Sequence, residues 1–211
     1  MSSEPRGVAA FDFDGTLVGG DSLPRYLSTL LGRDRFAGVL GRAAPAMFSG
    51  YRSGGRDGAK AALLARAVAG VLASRAAEVG ERFGSRLVDD LRPEMAERLA
   101  WHQAQGHRTV LVSASLALYL EPFGKLVGFD DVIATQLEVG PSDLLTGRIL
   151  GENVRAAQKA LLLERLLGSD PATVWAYGDS RGDREMLAMA DHPTLIRRVG
   201  RRRQLSILGR T

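Results

Sequence analysis

Two carboxylates near the start of the chain are the first residues whose type and spacing could do chemistry. The apolar run Val8-Ala9-Ala10-Phe11 ends on Asp12-Phe13-Asp14, and Gly15-Thr16 follows. An unbroken apolar run of this kind reads as a strand covered on both faces in a parallel sheet. Asp is depleted in strands, and a charged Asp is rarely buried without a partner. Two of them at a strand's carboxyl end need compensation, which a hard divalent cation supplies. In open α/β sheets that end is also where ligands sit. Asp-Gly is equally a turn signal, so by itself the stretch also fits a simple surface turn.

Comparable polar groups recur further on. Thr109-Val110-Leu111-Val112 reads as a strand ending on Ser113-Ala114-Ser115, and Thr173-Val174-Trp175-Ala176-Tyr177 as one ending on Gly178-Asp179-Ser180. Lys159 lies on a helical segment between them. Polar groups at the strand ends of one parallel sheet converge on a single edge. Carboxylates with a lysine and a hydroxyl suit a phosphate and Mg²⁺ better than zinc.

The elements that must position these groups follow from periodicity. From Asp21 to about Arg92 the chain is rich in Ala, Leu, Arg and Gly, and Leu63, Leu64, Ala67, Val68, Val71 and Leu72 recur at helical spacing. Breaks are expected near Gly54-Gly55 and at Gly84. Arg92-Pro93-Glu94 is a return linker with Pro at a helix start, and helices are expected over 95–105 and 116–127. Asp131 to Ala134 is a short strand, Gln136 to Ile149 a hairpin around Pro141-Ser142-Asp143, and Asn153 the N-cap of a helix through Leu167. A last strand is expected over His192 to Ile196. Strands alternating with helices give a mostly parallel sheet covered on both faces. The expected fold is therefore α/β, a Rossmann-like core from 1–19 and 93–211 with a helical cap domain, 20–92, inserted after the first strand.

Composition narrows the rest. The chain has 211 residues, a net charge of +4 and no Cys, which excludes a disulfide framework and a thiolate metal site. His102, His107 and His192 lack metal-ligand spacing. No apolar run is long enough to span a bilayer, and Met1-Ser2-Ser3-Glu4-Pro5-Arg6 lacks the apolar region of a signal peptide, so a cytoplasmic soluble protein is expected. The basic balance favours anionic partners without choosing among substrates, nucleic acid and a membrane surface.

Four stretches together resemble the haloacid dehalogenase superfamily, in its phosphoserine-phosphatase-like branch. They are Asp12-Phe13-Asp14-Gly15-Thr16, Val110-Leu111-Val112-Ser113-Ala114-Ser115, Lys159 within Ala157-Gln158-Lys159-Ala160-Leu161, and Gly178-Asp179-Ser180-Arg181-Gly182-Asp183. The resemblance runs from about residue 7 to 196 and includes the position of the helical insert. It implies Mg²⁺-dependent hydrolysis of a small phosphorylated metabolite through an aspartyl-phosphate. Asp12 would attack phosphorus. Asp14 would protonate the leaving oxygen and then deprotonate water, with its backbone carbonyl on the metal. Asp179 would ligate the metal alongside Asp12, and Asp183 would ligate it or orient its water. Ser113, with Ala114 beside it, and Lys159 would hold the phosphoryl oxygens.

Substrate choice rests on weaker signals. Asp21 stands where phosphoserine phosphatases carry an acidic residue for the substrate ammonium, but it is Asp rather than the usual Glu. Asp21 or Ser22 capping the first insert helix explains the same residues. Arg56 and Lys60 could meet a substrate carboxylate or phosphate, or form a solvated face. Arg197-Arg198-Val199-Gly200-Arg201-Arg202-Arg203 is a basic tail that suits phosphate backbones or anionic lipid. It lacks aromatic interleaving, so a nucleic-acid partner is not expected, and a solvated or frayed tail is favoured.

Rival readings share parts of this set. A phosphotransferase or a phospholipid-phosphate phosphatase would use the same chemistry, and a phosphate-binding module would not need Asp14. Gly20-Asp21-Ser22-Leu23 spells the signature of GDSL serine esterases, which need an activating His oriented by a carboxylate. In those enzymes Asp and His stand two residues apart near the C-terminus, whereas Asp191 and His192 are adjacent.

Overall fold

The computed structural model describes residues 6–169, 172–199 and 202–207, with side chains described from 7 to 196 within those ranges. In chain order the elements are β1 (Arg6–Phe11), α1 (Ser22–Leu31), α2 (Arg33–Ala67), α3 (Ala73–Leu87), α4 (Pro93–Ala104), β2 (Arg108–Leu116), α5 (Ala117–Val127) and β3 (Asp131–Thr135). They continue with β4 (Leu137–Val139), β5 (Leu145–Ile149), α6 (Ala157–Leu167), β6 (Ala172–Gly178), α7 (Arg184–Met189), β7 (His192–Val199) and β8 (Arg202–Ile207).

The main sheet has the order β3-β2-β1-β6-β7-β8. All neighbours run parallel except β8, which returns antiparallel to β7. The α/β class and Rossmann-like parallel core expected from the sequence are what the chain adopts. The strand order reverses at β1, the kind of switch point at which open α/β sheets hold ligands. Register sets the height of each strand end. Phe11 is level with both Leu111 and Tyr177, so Asp12 and Asp179, just past their strands, and Ser113, within β2, lie within one residue of the same level.

Both faces of β1 are covered, which is why its sequence is apolar without alternation. Ala9 and Phe11 pack with Leu111, Phe123 and Tyr177, while Val8 and Ala10 join Val110, Val112, Val174 and Leu163 on the other side. Each side chain of this size contributes roughly 1.5–3 kcal/mol on burial, Ala less.

Helices α1 to α3 lie between β1 and α4. α2 is interrupted at Gly54-Gly55, where the backbone leaves helical values. Residues eight apart in an unbroken helix are about 12 Å apart. Here a side chain on Gly50 would strike the Gly58 carbonyl, so the two arms fold back on each other. The break expected at Gly84 is absent. α3 is continuous there, and Gly84 lies against the Tyr119 carbonyl of α5, so its missing side chain serves a close helix contact.

Two further expectations are corrected. Asn153 does not cap the following helix; α6 begins at Ala157, behind Ala156 in a left-handed conformation (φ 54°), because the Asn153 side chain is engaged elsewhere. The basic C-terminal run is not simply frayed, since 197–199 complete β7 and β8 pairs with it. Gly200 and Arg201, and the side chains of Arg197, Arg198, Arg202 and Arg203, lie outside what the structure describes. Among the described residues no helix is long and apolar enough to cross a membrane.

Candidate active site

The carboxyl edge of the sheet opens into a cavity of about 480 Å³. From the sheet side Asp12, Asp14, Ser113, Ala114, Lys159, Asp179 and Asp183 line it. From the insert come Asp21, Arg56 and Lys60. Every residue given a catalytic, phosphate, metal or substrate role by the family resemblance therefore reaches one cavity, as do Arg56 and Lys60, although their positions span much of the chain.

At its floor Lys159 links two carboxylates. Its ammonium donates to Asp12 Oδ1 at 2.5 Å and to Asp183 Oδ1 at 2.6 Å, and it is only 2% exposed. The Thr16 hydroxyl donates to the other Asp12 oxygen at 2.9 Å. Asp183 Oδ2 accepts from the Ser180 amide and hydroxyl and the Asp179 amide, at 2.9, 2.8 and 3.2 Å. These bonds form a capping box over the short helical turn that follows Ser180. Asp183 thus does start a helical turn, as its charge alone suggests, but it also faces the cavity floor.

Asp179 completes the cluster. One oxygen from each of Asp12, Asp179 and Asp183 lies within 4.8 Å of the others. Gly15 makes this approach feasible: its φ is +88°, and a side chain there would run into the Asp179 carboxylate. Three carboxylates thus gather at the cavity floor, and two of them, Asp12 and Asp183, are bonded to one buried ammonium. Burial pushes the Asp12 carboxyl up to about 7; Lys159 opposes the shift, while Asp183 and Asp179 add to it. For Lys159 burial acts downward, but Asp12 and Asp183 outweigh it and its pKa is raised. Asp183 is also buried, yet Lys159 and the Ser180 bonds hold it below the usual carboxylate range. The donor set is three carboxylates within 4.8 Å of one another, all oxygen, and so fits a hard divalent cation.

Asp14 sits in a separate environment. Its Oδ1 accepts from the Ser22 amide at 2.8 Å, and its Oδ2 accepts from the hydroxyls of Ser22 at 2.9 Å and Ser115 at 2.5 Å. Tyr119 OH lies 2.9 Å from Ser22 Oγ. Burial raises the Asp14 carboxyl to about 6, with Asp21 adding to the rise and the Ser115 and Ser22 bonds opposing it. Ser22 is therefore tied to Asp14 and not to a histidine. His102 is bonded to His107 and Tyr177, and His192 stacks on Trp175 level with mid-sheet residues. The esterase arrangement is not assembled.

Asp21 accepts from the Leu23 amide at 3.1 Å as the N-cap of α1, the capping role foreseen for it, and also lines the cavity. Lys60 is held more tightly than a solvated lysine. Its ammonium donates to the Ala114 carbonyl and to Asn153 Oδ1, both at 2.5 Å. Burial pulls it down to about 8 against the fields of Asp57, Asp21 and Asp14. Asn153 also accepts from Thr135 Oγ1 at 2.9 Å and donates to Asp57 Oδ1 at 2.7 Å. Arg155 adds an ion pair to Asp57 at 3.8 Å. Asn153, Asp57 and Arg155 thus join the insert to the core. Sequence reasoning missed this network, because no local pattern relates residue 153 to residues 57 and 60. Ser22 stands out in the sequence as a helix cap and an esterase signature, and Ser115 as part of the second motif, but nothing local relates either to Asp14.

Comparison with known proteins adds kinship to this geometry. CicA from Caulobacter vibrioides is 34% identical over 192 residues, covering 90% of this chain and 86% of CicA. A phosphoserine phosphatase from Archaeoglobus fulgidus is 28% identical over 186 residues, covering 87% of this chain and 50% of that protein. The crystal structure of a phosphoserine phosphatase in its apo form superposes with a TM-score of 0.64 at 17% identity, covering 89% of this chain and 84% of that one, which shows a shared fold. The model of the haloacid dehalogenase-like hydrolases matches residues 9–188, the span that carries all four motifs, and the chain belongs to that family.

Proposed function

We propose that this hydrolase removes the phosphoryl group from a small phosphomonoester through an aspartyl-phosphate on Asp12, with Mg²⁺ as its cofactor. The observation that carries the reading is the unequal treatment of two neighbouring carboxylates. Asp12 is bonded to an ammonium and crowded by Asp179 and Asp183. Asp14 is removed from that cluster and held by hydroxyls and an amide. Carboxylates in contrasting environments divide into nucleophile and acid/base.

In the first step an Asp12 carboxylate oxygen forms a bond to phosphorus as the ester P–O bond breaks. The Asp14 carboxyl gives its proton to the leaving alkoxide oxygen; its pKa near 6 keeps a fraction protonated near neutrality. In the second step Asp14 takes a proton from water, whose oxygen bonds to phosphorus as the acyl-phosphate P–O bond breaks and the Asp12 carboxylate is restored. Lys159 and the Ser113 hydroxyl, with Ala114 beside it, hold the phosphoryl oxygens. Asp12, Asp179, Asp183 and the Asp14 backbone carbonyl would hold the metal. When bound, the cation neutralises the repulsion between carboxylate and phosphate and stabilises charge on the transferring group.

Helices α1 to α3 act, in this reading, as a cap that bounds the cavity with Asp21, Arg56 and Lys60. The phosphoserine phosphatase among its relatives favours a substrate with ionic groups near the phosphate. The shorter Asp21, already committed as a helix cap, disfavours phosphoserine itself. The test is phosphate release from a panel of phosphomonoesters by wild type, Asp12→Asn and Asp14→Asn, each with Mg²⁺ or with chelator. Metal-dependent release by wild type, abolished in Asp12→Asn, supports the assignment; release by Asp12→Asn contradicts it. An alcohol acceptor that captures the phosphoryl group ahead of water would identify a transferase.

A further inference from the structure

We propose that the outward face of the first arm of α2 docks the protein onto an anionic membrane surface. This arm buries Phe36, Val39 and Ala43 against the protein. A second apolar stripe faces out: Leu40, Ala44 and Phe48 follow one turn apart, with Tyr51 beside them. Phe48 is 65% and Tyr51 59% exposed. A single exposed apolar side chain is ordinary. Two exposed aromatic rings on adjacent turns, close to the tip where α2 folds back, form a patch that calls for a partner.

Charge selects that partner. Between Asp34 and Asp57 the chain carries Arg35, Arg42, Arg52 and Arg56 and no acidic residue, and all four arginines are exposed. Arg52 and Arg56 bracket the turn at Gly54-Gly55 near the two rings, whereas Arg35 and Arg42 lie on the opposite side of the arm. The Arg52 guanidinium lies 6.0 Å from the centre of the Phe48 ring, so base and ring belong to one patch. A second copy docked symmetrically would set these arginines against themselves. An anionic lipid surface satisfies both halves at once, since aromatic rings settle at the headgroup boundary and guanidinium groups meet lipid phosphates. The second arm carries Arg56, Asp57 and Lys60 to the cavity, so docking would bring the cavity mouth towards the membrane. The proposal concerns binding and stands whether or not the proposed turnover does.

The experiment is flotation of the full chain with vesicles of phosphatidylcholine alone or mixed with phosphatidylglycerol, at low and at physiological salt. Wild type is expected on the anionic vesicles only, and less at higher salt. Phe48→Ser/Tyr51→Ser and Arg52→Glu/Arg56→Glu are each expected to lower partitioning by about tenfold or more, with circular dichroism unchanged. As a second measurement, the tryptophan introduced by Tyr51→Trp should shift its emission to the blue with anionic vesicles. The proposal is overturned if wild type stays off anionic vesicles, including the case where it pairs with a second copy or an acidic protein instead. It is equally overturned if both double variants bind like wild type, if the emission of the introduced tryptophan does not move, or if binding is lost only on replacing Arg201, Arg202 and Arg203.

Discussion

The sheet carries buried titratable groups in two places, and the two are built differently. At the carboxyl edge Asp12 and Asp183 share the Lys159 ammonium with Asp179 beside them, and burial leaves the Asp12 carboxyl near 7. Below it, His102 is fully buried between His107 and Tyr177, with Nδ1 2.8 Å from His107 Nδ1 and Nε2 2.9 Å from Tyr177 OH. Its ring also packs against Phe11 and Trp175. Burial, then His107 and Arg98, pull His102 down to about 4, so it is neutral near pH 7. Both of its ring nitrogens have partners, and no charge remains to be compensated. Burial of an ionisable group therefore does not by itself mark a site; a cluster of carboxylates beside a cavity does.

Substitutions at the two places should separate them. The largest effect is expected for Lys159→Met, which leaves Asp12 and Asp183 without their ammonium. Without metal it should cost about 3–5 kcal/mol of stability and lower phosphate release by more than about a thousandfold, read by denaturant melts and steady-state kinetics. Asn153→Ala should raise KM for an anionic phosphomonoester about tenfold, the equivalent of one charge-assisted hydrogen bond, because Lys60 loses its anchor; an unchanged KM would detach Asn153 from substrate binding. The pH profile sharpens the same point. Lys60 loses its proton as pH rises through about 8, so affinity for an anionic substrate should fall above that pH. Lys60→Met should abolish that limb, and Asn153→Asp should move it to higher pH, since an added carboxylate favours the ammonium. The smallest catalytic effect is expected at His102. His102→Gln should cost roughly 1–3 kcal/mol of stability with kcat within about twofold of wild type; a large loss of kcat would join the two regions functionally.

What was legible in the sequence was whatever one strand end or one helix start encodes. Asp12, Asp14, Ser113 and Asp179 each terminate an apolar run, and parallel topology brings such ends together without further information. The gaps have a common physical cause. Asn153 has the chemistry of an N-cap and sits just before a helix, but its amide is drawn to Lys60, Asp57 and Thr135, residues up to 96 positions away. Ser22 carried a familiar short signature, yet the Asp14 carboxylate eight residues earlier claims its hydroxyl. Gly84 suggested a break because local propensity cannot distinguish a helix stop from a helix contact. In each case a tertiary partner overrode a local preference.

The central claim, that Asp12 is the nucleophile, is tested most directly by trapping the intermediate. Wild type mixed with the best substrate of the panel and Mg²⁺, quenched in acid and mapped by peptide mass spectrometry, should carry one phosphoryl group on the peptide containing Asp12. Asp12→Asn should carry none. Turnover with no phosphoryl group on that peptide, or with the group on another side chain, would contradict the account.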